Sequence, residues 1–189
     1  MPPPSPDLDA AQVMSLEAYA DTILPGAKRA PHDHAIAGAC ATPGAVAAGA
    51  LDLLRWEATG FAGVLDTLAD GINHHALAYA QDRELELGEA LPPFVALSFS
   101  DRTALVQALT TPGHPEHEMW VGLALFCYMA YDSAAHLSTA EALAAGHPGL
   151  TAMGFAGPEP DGLWRFPRYS YQRELARPHP FTSSTGSPA

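Results

Sequence analysis

The sequence predicts an all-α protein, an irregular helical bundle that ends in an extended arm rich in proline, glycine and aromatic residues. Alanine, the strongest helix former, supplies 36 of the 189 residues. Apolar residues recur at helical spacing between Gly and Pro breaks, and no run alternates strongly enough to predict a sheet. The length suits one domain. We therefore divide the chain into a mobile lead-in (1–14), a helical domain (15–146) and an extended C-terminal arm (147–189).

Turn and capping signals bound the predicted helices. The first helix spans residues 15–24 and ends at Pro25-Gly26. The loop that follows, to residue 43, has no fixed period, and it crosses either a surface or a partner. Two S-x-x-D/E capping boxes, which begin at Ser98 and Ser138, open later helices. The other apolar patterns predict helices over residues 45–59, 61–81, 98–109 and 116–136.

The segment 116–136 is the most hydrophobic of the predicted helices. Its apolar residues lie nearly all round the helix, and they include Trp120, Leu125 and Phe126. A helix without a polar face is typical of the centre of a bundle. We therefore expect Leu125 and Phe126 to lie in the core.

The composition argues against several classes of protein. The formal net charge is −12 and the chain has a single lysine, whereas a nucleic-acid partner requires clustered Lys and Arg. No stretch reaches the ~20 apolar residues of a membrane span, and the N-terminus has neither the basic start nor the apolar run of a secretory signal. We expect a cytoplasmic protein without a membrane partner. Cys40 and Cys127 are expected to be buried free thiols.

Residues 147–189 differ in composition from the rest of the chain. They contain five Gly and seven Pro together with six large aromatic residues, whereas disordered tails are usually poor in aromatics. Two interpretations remain open: the segment covers its own bundle, or it binds a partner. Trp, Tyr and Arg are common anchors of protein interfaces. The candidate interface residues are Phe155, Trp164, Arg165, Phe166, Arg168, Tyr169 and Tyr171.

Histidine, with nine copies, is the residue type from which a catalytic or metal site could be built. His114 and His117, three apart at a predicted helix start, are candidate metal ligands. A third ligand would have to come from residues 32–34, residues 74–75 or His147, whose positions in space the sequence does not determine.

The sequence contains no complete catalytic or cofactor-binding motif. Asp132 and His136 are spaced i,i+4, so the carboxylate could orient the imidazole for base catalysis or form a structural hydrogen bond late in a helix. No G-x-G-x-x-G, phosphate loop or G-x-S-x-G pattern occurs. We expect this chain to hold no dinucleotide and no cofactor by itself.

Two loop-type stretches are distinctive: Ala20-Asp21-Thr22-Ile23-Leu24-Pro25-Gly26, and residues 147–158 (HPGLTAMGFAGP) followed by Gly162-Leu163-Trp164. With their order, the helical middle and the chain length, they resemble the small subunit (subunit 3, or gamma) of membrane-associated gluconate 2-dehydrogenase and related flavin sugar dehydrogenases. The chain also resembles uncharacterised bacterial proteins that share residues 92–97 (PPFVAL), residues 112–115 (PGHP) and the Gly-Ser-Pro-Ala end.

The resemblance implies a function for the chain. In that family a larger subunit of the glucose–methanol–choline class carries FAD and performs the oxidation. By this likeness the chain is a non-catalytic accessory subunit that stabilises or matures a larger flavin-dependent oxidoreductase, with FAD in that partner. Two alternatives remain open: a stand-alone, metal-dependent enzyme that uses its His cluster, and an interaction protein without a redox partner.

Overall fold

The computed structural model describes residues 7–155 and residue 157, and this part of the chain is all-α, which confirms the predicted fold class. Within it no strand occurs, and none of its helices is long and apolar enough to cross a membrane. Two short 3₁₀ helices, Glu57–Thr59 and Ala62–Val64, lie between α-helices. The α-helices are α1 (Ala10–Ile23), α2 (Ala50–Arg55), α3 (Leu65–Asp82), α4 (Pro93–Ala96), α5 (Phe99–Leu109), α6 (His117–Asp132), α7 (Thr139–Ala144) and α8 (Pro148–Ala152).

Helix α1 begins at Ala10, so the prediction of a mobile lead-in through residue 14 is wrong at its C-terminal end. Asp9 caps this helix. Its side chain accepts a hydrogen bond from the Gln12 amide at 2.8 Å, and the Gln12 side chain accepts one from the Asp9 amide at 3.1 Å. This reciprocal capping box satisfies amides that the first helical turn leaves without partners. The D-x-x-Q signal is present in the sequence, directly after the proline-rich start.

The predicted helix over residues 45–59 is much shorter in the structure, because a glycine turn precedes it and a 3₁₀ turn follows it. Gly49 takes a left-handed conformation (φ 83°) directly before α2. A Cβ atom at this position would lie 2.7 Å from Nε2 of His136, so the close approach also favours glycine. The next predicted helix, over residues 61–81, agrees with α3 apart from its first turn, which is 3₁₀.

The main core is formed by the buried faces of α1, α2, α3, α5 and α6 together with α4, while Leu150 of α8 belongs to a second, smaller cluster. The inner face of α6 consists of Trp120, Leu123, Cys127 and Ala130, and all four side chains are fully buried. Tyr19 of α1 packs against Trp120 with ring centroids 5.7 Å apart, and its hydroxyl donates to the Trp120 carbonyl at 2.7 Å. The hydroxyl of this buried tyrosine is therefore hydrogen-bonded, as buried hydroxyls require.

Asp21 holds the loop that follows α1. Its buried carboxylate accepts hydrogen bonds from the amides of Gly26 at 2.9 Å and Ala37 at 2.8 Å. Burial raises the pKa of Asp21, while these two amides and the nearby Arg102 guanidinium oppose that rise. Gly26 also lies against Gly44, and a Cβ atom on Gly26 would lie 2.6 Å from the Gly44 nitrogen. Residues 20–26, the first of the two distinctive stretches, therefore hold both ends of the loop against α1.

Arg102 of α5 binds the same loop from another direction. Its buried guanidinium donates to the carbonyls of His34 and Ala35 in the loop, and to those of Phe94 and Val95 in α4. Burial lowers the pKa of Arg102, and the buried carboxylate at the end of α1 opposes that change. Of the two predicted courses for this loop, the structure shows the first: it lies on its own bundle.

The described part of the predicted arm folds onto the bundle instead of extending from it. Nδ1 of His147 accepts a hydrogen bond from the Leu150 amide at 3.3 Å and caps α8, while Nε2 donates to the Ala48 carbonyl at 3.0 Å. The Leu150 side chain is buried. His147, the first residue of the second distinctive stretch, therefore connects α8 by hydrogen bonds to the turn before α2.

Because α8 packs closely against α6, the helical domain ends later in the chain than the sequence predicted. A Cβ atom on Gly149 would lie only 2.0 Å from the Tyr131 carbonyl oxygen, so glycine allows the two helices to touch. The compact unit extends to Phe155, whereas the sequence predicted its end at residue 146. The rest of the predicted arm, apart from residue 157, lies outside the described residues.

Candidate functional site

The predicted metal ligands His114 and His117 lie on either side of the start of α6. Because α6 begins at His117, His114 belongs to the preceding turn, and the expected i,i+3 pairing on one helix face does not occur. Nδ1 of His114 accepts a hydrogen bond from the Glu116 amide at 3.1 Å, which is a local role at the helix start. Nδ1 of His117 is buried without a hydrogen-bond partner in the part of the chain that is described.

Tertiary packing brings His75 of α3 to this turn. Oε2 of Glu116 accepts hydrogen bonds from Nε2 of His75 at 2.6 Å and from Nε1 of Trp120 at 2.9 Å. The His75 ring lies edge-on to the Trp120 ring at 5.8 Å and to the His114 ring at 6.0 Å between centroids. We call these four residues, His75, His114, Glu116 and Trp120, the His75 cluster.

Glu116 determines the electrostatics of the His75 cluster. The hydrogen bonds from Trp120 and His75 hold the pKa of the Glu116 carboxyl below its usual range. The carboxylate is an acceptor, so the proton of a neutral His75 lies on Nε2 and its lone pair on Nδ1. An imidazole oriented in this way can accept a proton. A shallow cleft of about 600 Å³, lined by residues 113–119, opens at the cluster.

The His75 cluster does not have the ligand set of a metal centre. Across residues 7–155 and residue 157, no group of three or more His, Cys, Asp and Glu side chains is arranged to hold a metal ion. Of the possible third ligands, His75 alone is found in ring contact with His114 within this region. His147 caps α8 instead, and His34 lies in the loop bound by Arg102.

The predicted pairing of Asp132 with His136 is wrong, because α6 ends at Asp132. The chain turns away through Ala134, which has a left-handed backbone (φ 48°). His136 lies beside His147 instead, with ring centroids 6.3 Å apart. Burial lowers the pKa of His136; Asp52 opposes this shift and His147 adds to it. The predicted helix over residues 116–136 is therefore four residues shorter at its C-terminal end.

The outer face of α6 is exposed although it is hydrophobic. Val121, Leu125 and Tyr128 lie on this face, and 38 %, 57 % and 50 % of their surface is exposed. The expectation that Leu125 lies in the core is wrong, because α1 and α2 cover only the opposite face. Phe126 is half-buried and packs edge-on against Phe61 at 5.5 Å. We call Val121, Leu125 and Tyr128 the outer α6 stripe.

The predicted interface residues fall mostly beyond the described part of the chain. Phe155 is described, and 46 % of its surface is exposed. The others lie outside the described residues: Trp164, Arg165, Phe166, Arg168, Tyr169 and Tyr171. Sequence reasoning missed the outer α6 stripe as an interface candidate. The sequence pattern that could have identified the stripe is the i, i+4, i+7 spacing of three large apolar residues. This pattern was not distinctive, because the other faces of the helix are also apolar.

The similarity of this chain to known proteins lies at the level of a sequence family. No curated protein and no solved structure matches it. Residues 10–189 match a family whose description reads "Family of unknown function (DUF5987)". Because this match covers nearly the whole chain, the protein belongs to the DUF5987 family.

Proposed function

We propose that this chain is a small, non-catalytic accessory subunit that stabilises or matures a larger FAD-dependent oxidoreductase of the glucose–methanol–choline class. The observation that carries the proposal is the outer α6 stripe, in which three large hydrophobic side chains at helical spacing are 38–57 % exposed within the described part of the chain. The likeness of the two distinctive stretches to the small subunit of gluconate 2-dehydrogenase supports the class of partner. In this proposal FAD is bound by the partner subunit.

The outer α6 stripe has the spacing by which a helix binds a protein groove. Val121, Leu125 and Tyr128 stand at i, i+4 and i+7, the positions that amphipathic helices use as anchors. Tyrosine is enriched at protein interfaces. Full burial of an exposed Val or Leu side chain contributes about 1.5–3 kcal/mol. Because 38–57 % of each stripe side chain is exposed, a partner that covers the stripe gains about half of such a contribution from each.

The stripe is held rigid before any partner binds. The opposite face of α6 is locked into the core by Trp120, Leu123 and Cys127, which are fully buried. The Tyr19 hydroxyl additionally bonds the Trp120 carbonyl at 2.7 Å. A preorganised surface loses little conformational entropy on binding, and this favours a stable complex.

A second candidate function is general-base catalysis by the His75 cluster. The observation that favours it is the 2.6 Å hydrogen bond between Glu116 and His75 beside a surface cleft. A carboxylate-oriented imidazole is the arrangement of a general base. Under this alternative, His75→Gln removes turnover of a substrate found by screening. Asp82→Asn, on the same helix but outside the lining of the cleft, leaves the rate unchanged.

The test of the leading proposal is co-expression of the tagged full chain with a glucose–methanol–choline-class flavoprotein from the same genome. We expect a purified complex with the yellow absorbance of bound flavin. Leu125→Glu should weaken the complex by about 100-fold, because it places a charge in the centre of an apolar contact. The matched control is Leu77→Glu on α3, where the leucine is 53 % exposed and the complex should persist.

The circular dichroism spectrum of each variant must match that of the unchanged chain, because both leucines are exposed. A flavoprotein complex that tolerates Leu125→Glu as well as Leu77→Glu would remove the outer α6 stripe as support for the proposal. Failure of every tested flavoprotein of this class to bind, together with turnover that depends on His75, would favour the enzyme alternative.

A further inference from the structure

We propose that the outer α6 stripe pairs with an apolar helix of a different protein whose ends carry Arg or Lys. This inference rests on the proposed accessory function and names the chemistry of the partner surface. The observations behind it are the spacing of the stripe and the two carboxylates that stand at its ends, Glu118 and Asp132.

The spacing of the stripe is that of a helix–helix seam. Residues 118, 121, 125, 128 and 132 follow one another at intervals of three, four, three and four. This alternation is the a/d pattern by which one helix packs along another. At about 1.5 Å rise per residue the seam is about 21 Å long, which is roughly four turns of a partner helix. The occupant that fits this geometry is therefore a helix.

The ends of the seam are acidic. Glu118 and Asp132 are both exposed, and neither forms an ion pair within residues 7–155. Between them stand only the apolar side chains Val121, Leu125 and Tyr128. A partner helix with apolar residues in its middle and a cation near each end matches this order of charge and hydrophobicity, and complementary charges select the partner and its alignment.

The same charges argue against a second copy of this chain as the occupant. In a parallel pair of seams, Glu118 would face Glu118 of the other copy. In an antiparallel pair centred on Leu125, Glu118 would face Asp132 of the other copy. Both alignments bring carboxylates together, and the whole chain carries a formal charge of −12 that opposes self-association. The carboxylates at the ends of the seam therefore favour a partner helix with basic ends over a second copy of this chain.

The experiment uses the full chain and two synthetic helical peptides with the same leucine seam. One peptide has Arg at the two seam positions that flank the leucines, and the other has Glu there. Fluorescence anisotropy of the labelled peptides measures binding. We expect the Arg peptide to bind about ten-fold more tightly than the Glu peptide. The double variant Glu118→Lys with Asp132→Lys should reverse this preference. It changes only the charges at the two ends of the seam and keeps the three apolar side chains that contact the peptide.

Two further variants test whether the peptide binds at the seam. Leu125→Glu should abolish binding of the Arg peptide, and Leu77→Glu on α3 should leave it unchanged. Equal affinity for both peptides, binding of neither, or binding that survives Leu125→Glu would overturn the inference. A dimer of the chain that Leu125→Glu dissociates in analytical ultracentrifugation would also overturn it, in favour of a self-interface.

The inference and the proposed function fail in different experiments. If the Arg peptide binds as expected and no flavoprotein co-purifies, the partner chemistry stands and the oxidoreductase assignment fails. If a flavoprotein co-purifies and neither Leu125→Glu nor the double lysine variant affects the complex, the accessory function stands and the assignment of the seam fails.

Discussion

The guanidinium of Arg102 donates a hydrogen bond to the carbonyl oxygen of Ala35 at 2.8 Å and thereby joins α5 to a loop 67 residues earlier in the chain. The same side chain donates to the carbonyls of Phe94 and Val95 in α4. Buried carbonyl groups of loops need such partners, because they cannot bond to water. Arg102 therefore serves as the hydrogen-bond donor for a segment without regular structure of its own.

We predict that Arg102→Met lowers the free energy of unfolding by about 2–5 kcal/mol, because several buried carbonyls lose a charged donor. Urea denaturation followed by circular dichroism measures the change. The control is Arg83→Met, since Arg83 lies over the Tyr79 ring at 3.9 Å near the surface, and its loss should cost under about 1 kcal/mol. An unchanged urea midpoint for Arg102→Met would contradict the assigned role.

The two faces of α6 should respond differently to the same substitution. Leu123→Ala should lower the free energy of unfolding by about 2–5 kcal/mol, because Leu123 is fully buried. Leu125→Ala should change it by less than about 0.5–1 kcal/mol, because 57 % of that side chain is exposed. Thermal and urea unfolding of both variants provide the comparison, and equal losses of stability would show that both faces of α6 are covered.

The two cysteines should differ in reactivity. Burial raises the pKa of Cys127 to about 12, whereas hydrogen bonds with Thr42 lower the pKa of the half-buried Cys40 thiol. The expectation that both thiols are buried is therefore wrong for Cys40. We predict that one thiol per chain reacts with a chromogenic disulfide reagent near neutral pH and that the second reacts only after unfolding, because the thiolate is the nucleophile.

The hydroxyl of Thr42 lies 2.9 Å from the Cys40 sulfur, so Thr42→Val should slow the labelling of Cys40. Thr111→Val is the matched control, since that hydroxyl donates to the Gln107 carbonyl. Fast labelling of a Cys40→Ser variant under native conditions would show that Cys127 is accessible and would contradict its place in the core.

Glu116 should contribute to stability in a pH-dependent way. Hydrogen bonds from Trp120 and His75 lower the pKa of Glu116 below its ordinary value of about 4.5, so its contribution is present above that value and is lost as the pH falls through the lower, folded pKa. We predict that Glu116→Gln lowers the melting temperature near neutral pH and that the difference shrinks on acidification. Glu118→Gln, two residues along the chain at an exposed position without an ion pair among the described residues, is the control and should change the melting temperature little. For Glu116→Gln, a difference that grows at low pH would have the wrong sign.

Gly149 of α8 should not tolerate a larger residue. A Cβ atom there would lie 2.0 Å from the Tyr131 carbonyl oxygen, and a backbone atom cannot move aside without displacing α6 or α8. We predict that Gly149→Ala lowers the melting temperature measurably, as overpacking in a core does. Gly63→Ala is the control, because no atom lies within 4 Å of a Cβ at that position. Equal melting temperatures would mean that α8 does not rest on α6.

Local signals determined the helical class and several helix starts. Ser98 and Ser138 accept hydrogen bonds from the amides of Asp101 and Glu141, as their capping sequences predicted. At Ser138 the Glu141 side chain also bonds the Ser138 amide and completes the box. At Ser98 the shorter Asp101 side chain accepts from the serine hydroxyl instead. These features involve residues three apart, so the sequence contains everything that decides them.

Tertiary packing alone decided which side of a uniformly apolar helix is buried. Leu123 and Leu125 are the same residue type two positions apart, yet α1 and α2 cover the first and leave the second in water. Likewise, Glu116 meets His75 across 41 residues of chain, and Arg102 meets Ala35 across 67. Helical periodicity predicts which face of a helix is buried only when the opposite face is polar. Where a helix is hydrophobic on all sides, the packing of the other helices determines which face is buried. The same packing determines which residues from distant segments come into contact.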